Sequence, residues 1–178
     1  MSLAHFLPDH EQRTFVHKPG FALTGFAIHT HRDPQNVCSG EISELWRSYY
    51  QSGLSLDYCI RRPYLIYALY TDYEASGAYT FVIGHETAVI DRTAPIPRRS
   101  FSTEESERFR AWVPSSKYRI FRTKKGKVSE VVAQTWDEIR SFYESSSERR
   151  AYTGDFEVYD TRDFDPEAAE VCIYIAIR

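Results

Sequence analysis

The sequence predicts an α+β fold of duplicated βαββ modules, two antiparallel sheets with one main helix each, placed around a central cleft. Three observations predict it. Two amphipathic helix patterns occur, each with a tryptophan near its middle, and Trp46 and Trp136 stand 90 residues apart. About twenty residues after each Trp comes an alternating, strand-like run: Tyr67-Ala-Leu-Tyr-Thr-Asp72 in one half, Glu157-Val-Tyr-Asp-Thr-Arg162 in the other. A second run closes each half, over 79–86 and 171–177. A βαββ unit covers one sheet face with its helix and leaves the other needing cover, so two units side by side enclose a cleft suited to a ligand.

The elements follow in order. Residues 1–12 show no period and read as an arm. From Thr14 to Thr30 the chain is extended, interrupted by a turn or bulge at Pro19-Gly20. Residues 32–36 form a loop. Ile42, Leu45, Trp46 and Tyr49 fall at i, i+3, i+4 and i+7, which predicts a helix over 41–51. Ser39 is its candidate N-cap, and Ser52-Gly53 its stop. Strands over 64–73 and 79–87 are joined by a short hairpin connection at 74–77. The proline-bearing stretch 91–114 reads as a connector with one helical turn near 103–108, and Trp112 in it would lid the cleft or anchor the loop. The second half runs as a strand over 118–123, a Lys-rich loop at 124–127, and a helix over 129–143 with Val132, Trp136, Ile139 and Tyr143 on one stripe. Strands over 156–160 and 171–177 end it. One domain, 1–178, is expected, with pseudo-repeats 14–90 and 115–178 joined by connector 91–114.

Composition narrows the function. A net charge of −3 and short basic clusters flanked by acids argue against direct nucleic-acid binding. Three scattered cysteines without a CxxC pattern suggest neither a disulfide framework nor a zinc site, and no metal or cofactor is expected. His29 and His31 lack a third ligand candidate. No signal-peptide pattern or apolar run of membrane-spanning length is visible, so a cytoplasmic protein without membrane contact is expected. Thirteen tyrosines, eleven phenylalanines and three tryptophans tilt the chain towards binding, because Tyr suits partly wet pockets.

These runs also carry a resemblance. Tyr67-Ala-Leu-Tyr-Thr-Asp-Tyr-Glu74 followed by Tyr79-Thr-Phe-Val-Ile-Gly84 resembles the first half of the gyrase-inhibitor-like (GyrI-like) effector-binding domain. Pro114-Ser-Ser-Lys-Tyr-Arg-Ile-Phe121, Gly126 and Trp136-Asp-Glu-Ile139 resemble the opening of its second half. Arg150-Ala-Tyr-Thr-Gly-Asp-Phe-Glu-Val-Tyr-Asp160 and the closing strand resemble its C-terminal signature. The match spans Thr14 to Arg178. That family supplies the effector-sensing half of AraC-type bacterial transcription activators and also stand-alone proteins, including a gyrase inhibitor and some members similar to hydrolases of small strained-ring compounds. The resemblance implies two βαββ modules around a pocket. No helix-turn-helix is present, so any role in transcription would need DNA contact from a separate partner chain.

The resemblance places a pocket glutamate at Glu157, where multidrug-sensing members meet the positive charge of a drug. Strand parity is compatible: if Phe156 and Val158 pack under the helix, Glu157 and Tyr159 point into the cleft. Tyr67 and Tyr70 occupy the analogous strand with opposite parity, so at most one of them faces the cleft. Trp46 and Trp136 lie on the helix stripes, where they pack the core and could also reach a ligand. The expected ligand-binding set is thus Glu157, Tyr159, Tyr67, Tyr70, Trp136 and Trp46, with no catalytic residue assigned. The expected function is binding of amphipathic, cationic aromatic molecules as a sensor or sequestering protein. Two alternatives are a hydrolase with Glu157 as general base and a gyrase-inhibitor-like protein-interaction module.

Overall fold

A computed structural model describes residues 15–31, 40–57, 59–87 and 108–178. The elements are β1 (Phe15–Lys18), β2 (Phe21–His31), α1 (Gly40–Gln51), a 3₁₀ turn (Leu54–Leu56), β3 (Leu65–Thr71), β4 (Ala78–Thr87), β5 (Phe109–Val113), β6 (Ser116–Arg122), α2 (Val128–Ser145), β7 (Asp155–Asp160) and β8 (Cys172–Ile177). The expected arm at 1–12, the loop at 32–36, the cap at Ser39, and most of the connector 91–114 with its turn at 103–108 lie outside the described residues.

Both helices form where the apolar spacing places them. Gly53, at φ 62°, takes the left-handed conformation that stops α1 at little steric cost. Leu45 and Tyr49 are the buried residues of α1, and Val131, Thr135 and Ile139 those of α2.

The expectation of two separate sheets is overturned. The eight strands of the described residues form one antiparallel sheet in the order β1-β6-β8-β7-β3-β4-β2-β5. The join is the pairing of β3 with β7, which sets Tyr67 opposite Val158 and Ala68 opposite Glu157. Pairing two edge strands satisfies the backbone groups that each separate sheet would have left open.

The sheet must curl. β1 and β2 occupy the first and seventh positions, about 29 Å apart in a flat sheet at one strand spacing per step. Only Pro19 and Gly20 separate them in sequence, a link that spans about 11 Å at most. The link from β5 to β6, through Pro114 and Ser115, imposes the same condition from the other edge. A pair of glycines helps the sheet bend. Gly25 and Gly84 face each other across β2 and β4, and a Cβ on either would come within 1.9 and 2.2 Å of a backbone oxygen.

Curling creates two unlike faces. The concave face packs Leu23, Tyr67, Leu69, Tyr118, Phe156 and Ala176 into an aromatic core, with Phe21 edge-on to Phe156 at 5.6 Å. The other face carries Ile66, Ala68, Phe81, Ile83 and Tyr159 beneath Leu45 and Tyr49 of α1. Ile139 of α2 packs on Ile173 and Ile175 of the same sheet. Two features of the connector therefore read differently. Residues 109–113 are an edge strand, and Trp112, 43% exposed, lies against Gly20 rather than over a cleft.

Candidate functional site

Glu157 stands at the centre of the helix-covered face, in the middle of β7, with only 2% of its surface exposed. Parity puts Glu157 and Tyr159 on this face, while Phe156 faces the concave core. The expectation that Phe156 and Val158 pack under a helix is therefore corrected. Both faces of β7 are buried, so alternation alone does not tell which one the helices cover.

Three neutral donors hold the carboxylate. The Tyr70 hydroxyl and the Trp136 indole N–H donate to Oε1 at 2.7 and 2.6 Å, and the Tyr159 hydroxyl donates to Oε2 at 2.5 Å. Each arrives from a different element: Tyr70 from β3, Trp136 from α2, Tyr159 from β7 itself. Burial pushes the Glu157 carboxyl pKa up, and the three hydrogen bonds oppose that shift. Tyr70 is pushed well above its ordinary value by burial and by the Glu157 charge, so it stays a protonated donor. No ion pair links Glu157 to a cation among the described residues.

Rings enclose the carboxylate. Tyr70 meets Phe81 and Trp136 edge-on, both at 4.9 Å, and lies 5.6 Å from Tyr79. Trp46 of α1 meets Tyr159 edge-on at 5.4 Å and stacks on the exposed Tyr50. Five of the six anticipated residues thus come together. Tyr67 does not: it lies on the concave face against Phe21 and Phe156, its hydroxyl 3.4 Å from Glu86.

Two buried polar clusters on this face were not anticipated. Two residues before Glu157, the fully buried Asp155 accepts bonds from the Tyr73 hydroxyl and the Ala176 N–H, each at 2.7 Å, and from the Arg150 guanidinium. That guanidinium sits over the Tyr152 ring at 4.4 Å. The signal was present in Arg150-Ala-Tyr-Thr-Gly-Asp155, but a five-residue separation spanning a turn does not reveal a pair. The second cluster is Tyr49 with His85. His85 Nδ1 lies 2.7 Å from the Leu65 carbonyl and so carries the proton, leaving Nε2 to accept from the Tyr49 hydroxyl at 2.6 Å. Burial lowers the His85 pKa, consistent with a neutral ring.

Chemically, the Glu157 site presents one charge, three oriented dipoles and a wall of aromatic faces. That arrangement can meet a cation electrostatically and through ring quadrupoles. No helix among the described residues is long and apolar enough to cross a membrane.

Known proteins share this architecture. An integron cassette protein from Vibrio cholerae superposes with a TM-score of 0.60 at 26% identity, covering 94% of this chain and 97% of its own. The protein SAV2435, solved bound to tetraphenylphosphonium, superposes at 0.68 with 18% identity over 94% of each chain. A Staphylococcus aureus protein named as a candidate bacterial transcription regulator gives 0.67 at 18% identity, covering 94% of this chain and 98% of that one. A Bacillus subtilis protein named as a candidate transcriptional regulator, YobU, is 35% identical over 115 residues, and the match spans 64% of each chain. The GyrI-like resemblance read from the sequence holds at the level of family. Residues 14–177 match a single family model, and the chain belongs to the Cass2 family of integron-associated effector-binding proteins.

Proposed function

We propose that this chain binds amphipathic, cationic aromatic small molecules through Glu157, acting as a sensor or sequestering module. One observation carries the reading: a buried carboxylate held by three neutral donors and paired with no cation among the described residues. Keeping such a charge in an apolar setting is costly unless a counter-charge arrives, and a lipophilic cation supplies one while burying its own rings. The tetraphenylphosphonium complex of a protein with the same fold supports the ligand class. Admission of a ligand requires the Trp46 and Trp136 indoles, which approach from α1 and α2, to move aside.

The reading takes the chain as one domain of two modules, 14–90 and 115–178. The repeated order βαββ supports this, as does the strand sequence β6-β8-β7 mirrored by β3-β4-β2 about the central join. Binding is favoured over hydrolysis because three of the carboxylate's acceptor positions are occupied, which leaves little capacity to activate a water. A role in transcription is suggested by the names of relatives.

Calorimetry with tetraphenylphosphonium and the neutral triphenylphosphine oxide tests the proposal. Glu157→Gln should weaken the phosphonium roughly tenfold or more, the loss expected of a charged contact worth about 1.5–3 kcal/mol, and leave the oxide nearly unchanged. Equal weakening of both ligands would remove Glu157 as the charge partner.

A further inference from the structure

The concave face carries a groove that the Glu157 site does not use, of about 530 Å³ at one end of the curled sheet. Its floor is apolar, made by Leu65, Val158 and Cys172 between the rings of Tyr64 and Tyr174. Its rim is charged. Arg122 is bound to Glu170 at 2.8 Å, and Arg162 binds both oxygens of Asp160 while lying 4.4 Å over the Tyr64 ring.

Two further cations have no hydrogen-bonded carboxylate among the described residues. The Arg62 guanidinium stands 3.8 Å from Glu86, outside hydrogen-bond reach. The Lys18 ammonium lies 5.1 Å over the Tyr174 ring and makes no ion pair among the described residues. Burial lowers its pKa, the Glu86 charge opposes that shift, and nearby Arg62 adds to it. Among the described residues the groove's lining holds three cations (Arg62, Arg122, Arg162) against two carboxylates (Asp160, Glu170), an excess of one positive charge over an apolar, aromatic floor, with Lys18 and Glu86 beside it.

We propose that this groove is a second ligand site, for an amphipathic organic monoanion whose acid group lies between Lys18 and Arg62. A flat body packs on Tyr64, Tyr174 and the floor, and the anion takes the hydrogen bonds that these two cations now lack. The site is separate from Glu157, which projects from the opposite face of β7. The molecule then offers a carboxylate to cations on one face and basic groups to anions on the other.

Calorimetric titration with 2-naphthoate, and with the neutral 2-naphthylmethanol, tests this. Saturable naphthoate binding is expected, at least tenfold weaker in the double variant Lys18→Gln with Arg62→Gln. The alcohol should be unaffected by that change, and Glu157→Gln should leave naphthoate affinity within twofold. An independent measurement needs no variant: naphthoate should protect Cys172, in the groove, from N-ethylmaleimide while Cys59 reacts as before, read by peptide mass mapping. Absence of saturable binding, equal loss for acid and alcohol, loss in Glu157→Gln, or an unprotected Cys172 would each overturn the proposal.

Discussion

Asp155 and Glu157 point the same way from one strand, are both buried, and are both held by tyrosine hydroxyls, yet only one has a cation among the described residues. Asp155 is matched by Arg150, itself fixed over the Tyr152 ring, and by a backbone N–H of β8. Among the described residues, Glu157 receives dipoles only. The difference separates two uses of a buried carboxylate. A charge answered from within ties elements together, whereas one answered only by neutral donors stays able to respond to something brought from outside. Tyr79 bridges the two, lying 6.2 Å from Tyr73 and 5.6 Å from Tyr70, so the environments are adjacent parts of one aromatic layer.

The comparison breaks most readily at Arg150. Arg150→Met leaves Asp155 charged and unanswered at full burial, and should cost about 3–5 kcal/mol in urea unfolding. A loss below about 1 kcal/mol would mean that Asp155 does not depend on its cation. The matched amide changes sharpen the contrast. Asp155→Asn should lower the unfolding midpoint by stranding Arg150, while Glu157→Gln should leave it level or raise it, because an unanswered charge disappears.

A smaller effect is read in pH. Burial raises the Glu157 pKa above its ordinary 4.5, and binding a cation requires the ionised form. Phosphonium affinity should therefore climb as pH rises through the ligand-free value, by up to about tenfold per pH unit, and then level off. The stability of the free protein runs the other way. A carboxyl whose pKa rises on folding contributes fully below 4.5, and that contribution is lost as pH rises through the folded-state value. Titration calorimetry and thermal melts across this window check both signs, and Glu157→Gln should flatten both. The smallest effect belongs to Tyr67→Phe, which removes a 3.4 Å contact on the far face and should change phosphonium affinity less than twofold. A large change there would place the ligand on the concave side.

Helix spacing and strand alternation were enough to locate both helices and most strands, because those signals are local. β5 escaped: Phe109-Arg-Ala-Trp-Val113 lies beside a proline and is held in place by pairing with β2, some ninety residues earlier. The single sheet escaped for the same reason, since nothing near β3 or β7 announces that they pair. Glu157 was singled out through family resemblance. Its choice of Tyr70 over Tyr67 was not, because a strand buried on both faces looks alike from either side. The indole bond from Trp136 was hidden by the residue's place on the apolar stripe, where packing alone would account for it.

The two short edge strands have one more consequence. β1 precedes β2 in the chain but pairs with β6, and β5 precedes β6 but pairs with β2. Each half of the polypeptide therefore lends an outer strand to the other, like two hands clasped by their little fingers. Neither half can be lifted away without unzipping both edges. A polypeptide cut between Thr87 and Arg108 should consequently hold together as a complex of its two pieces, while either piece expressed alone leaves an edge of the other unmade.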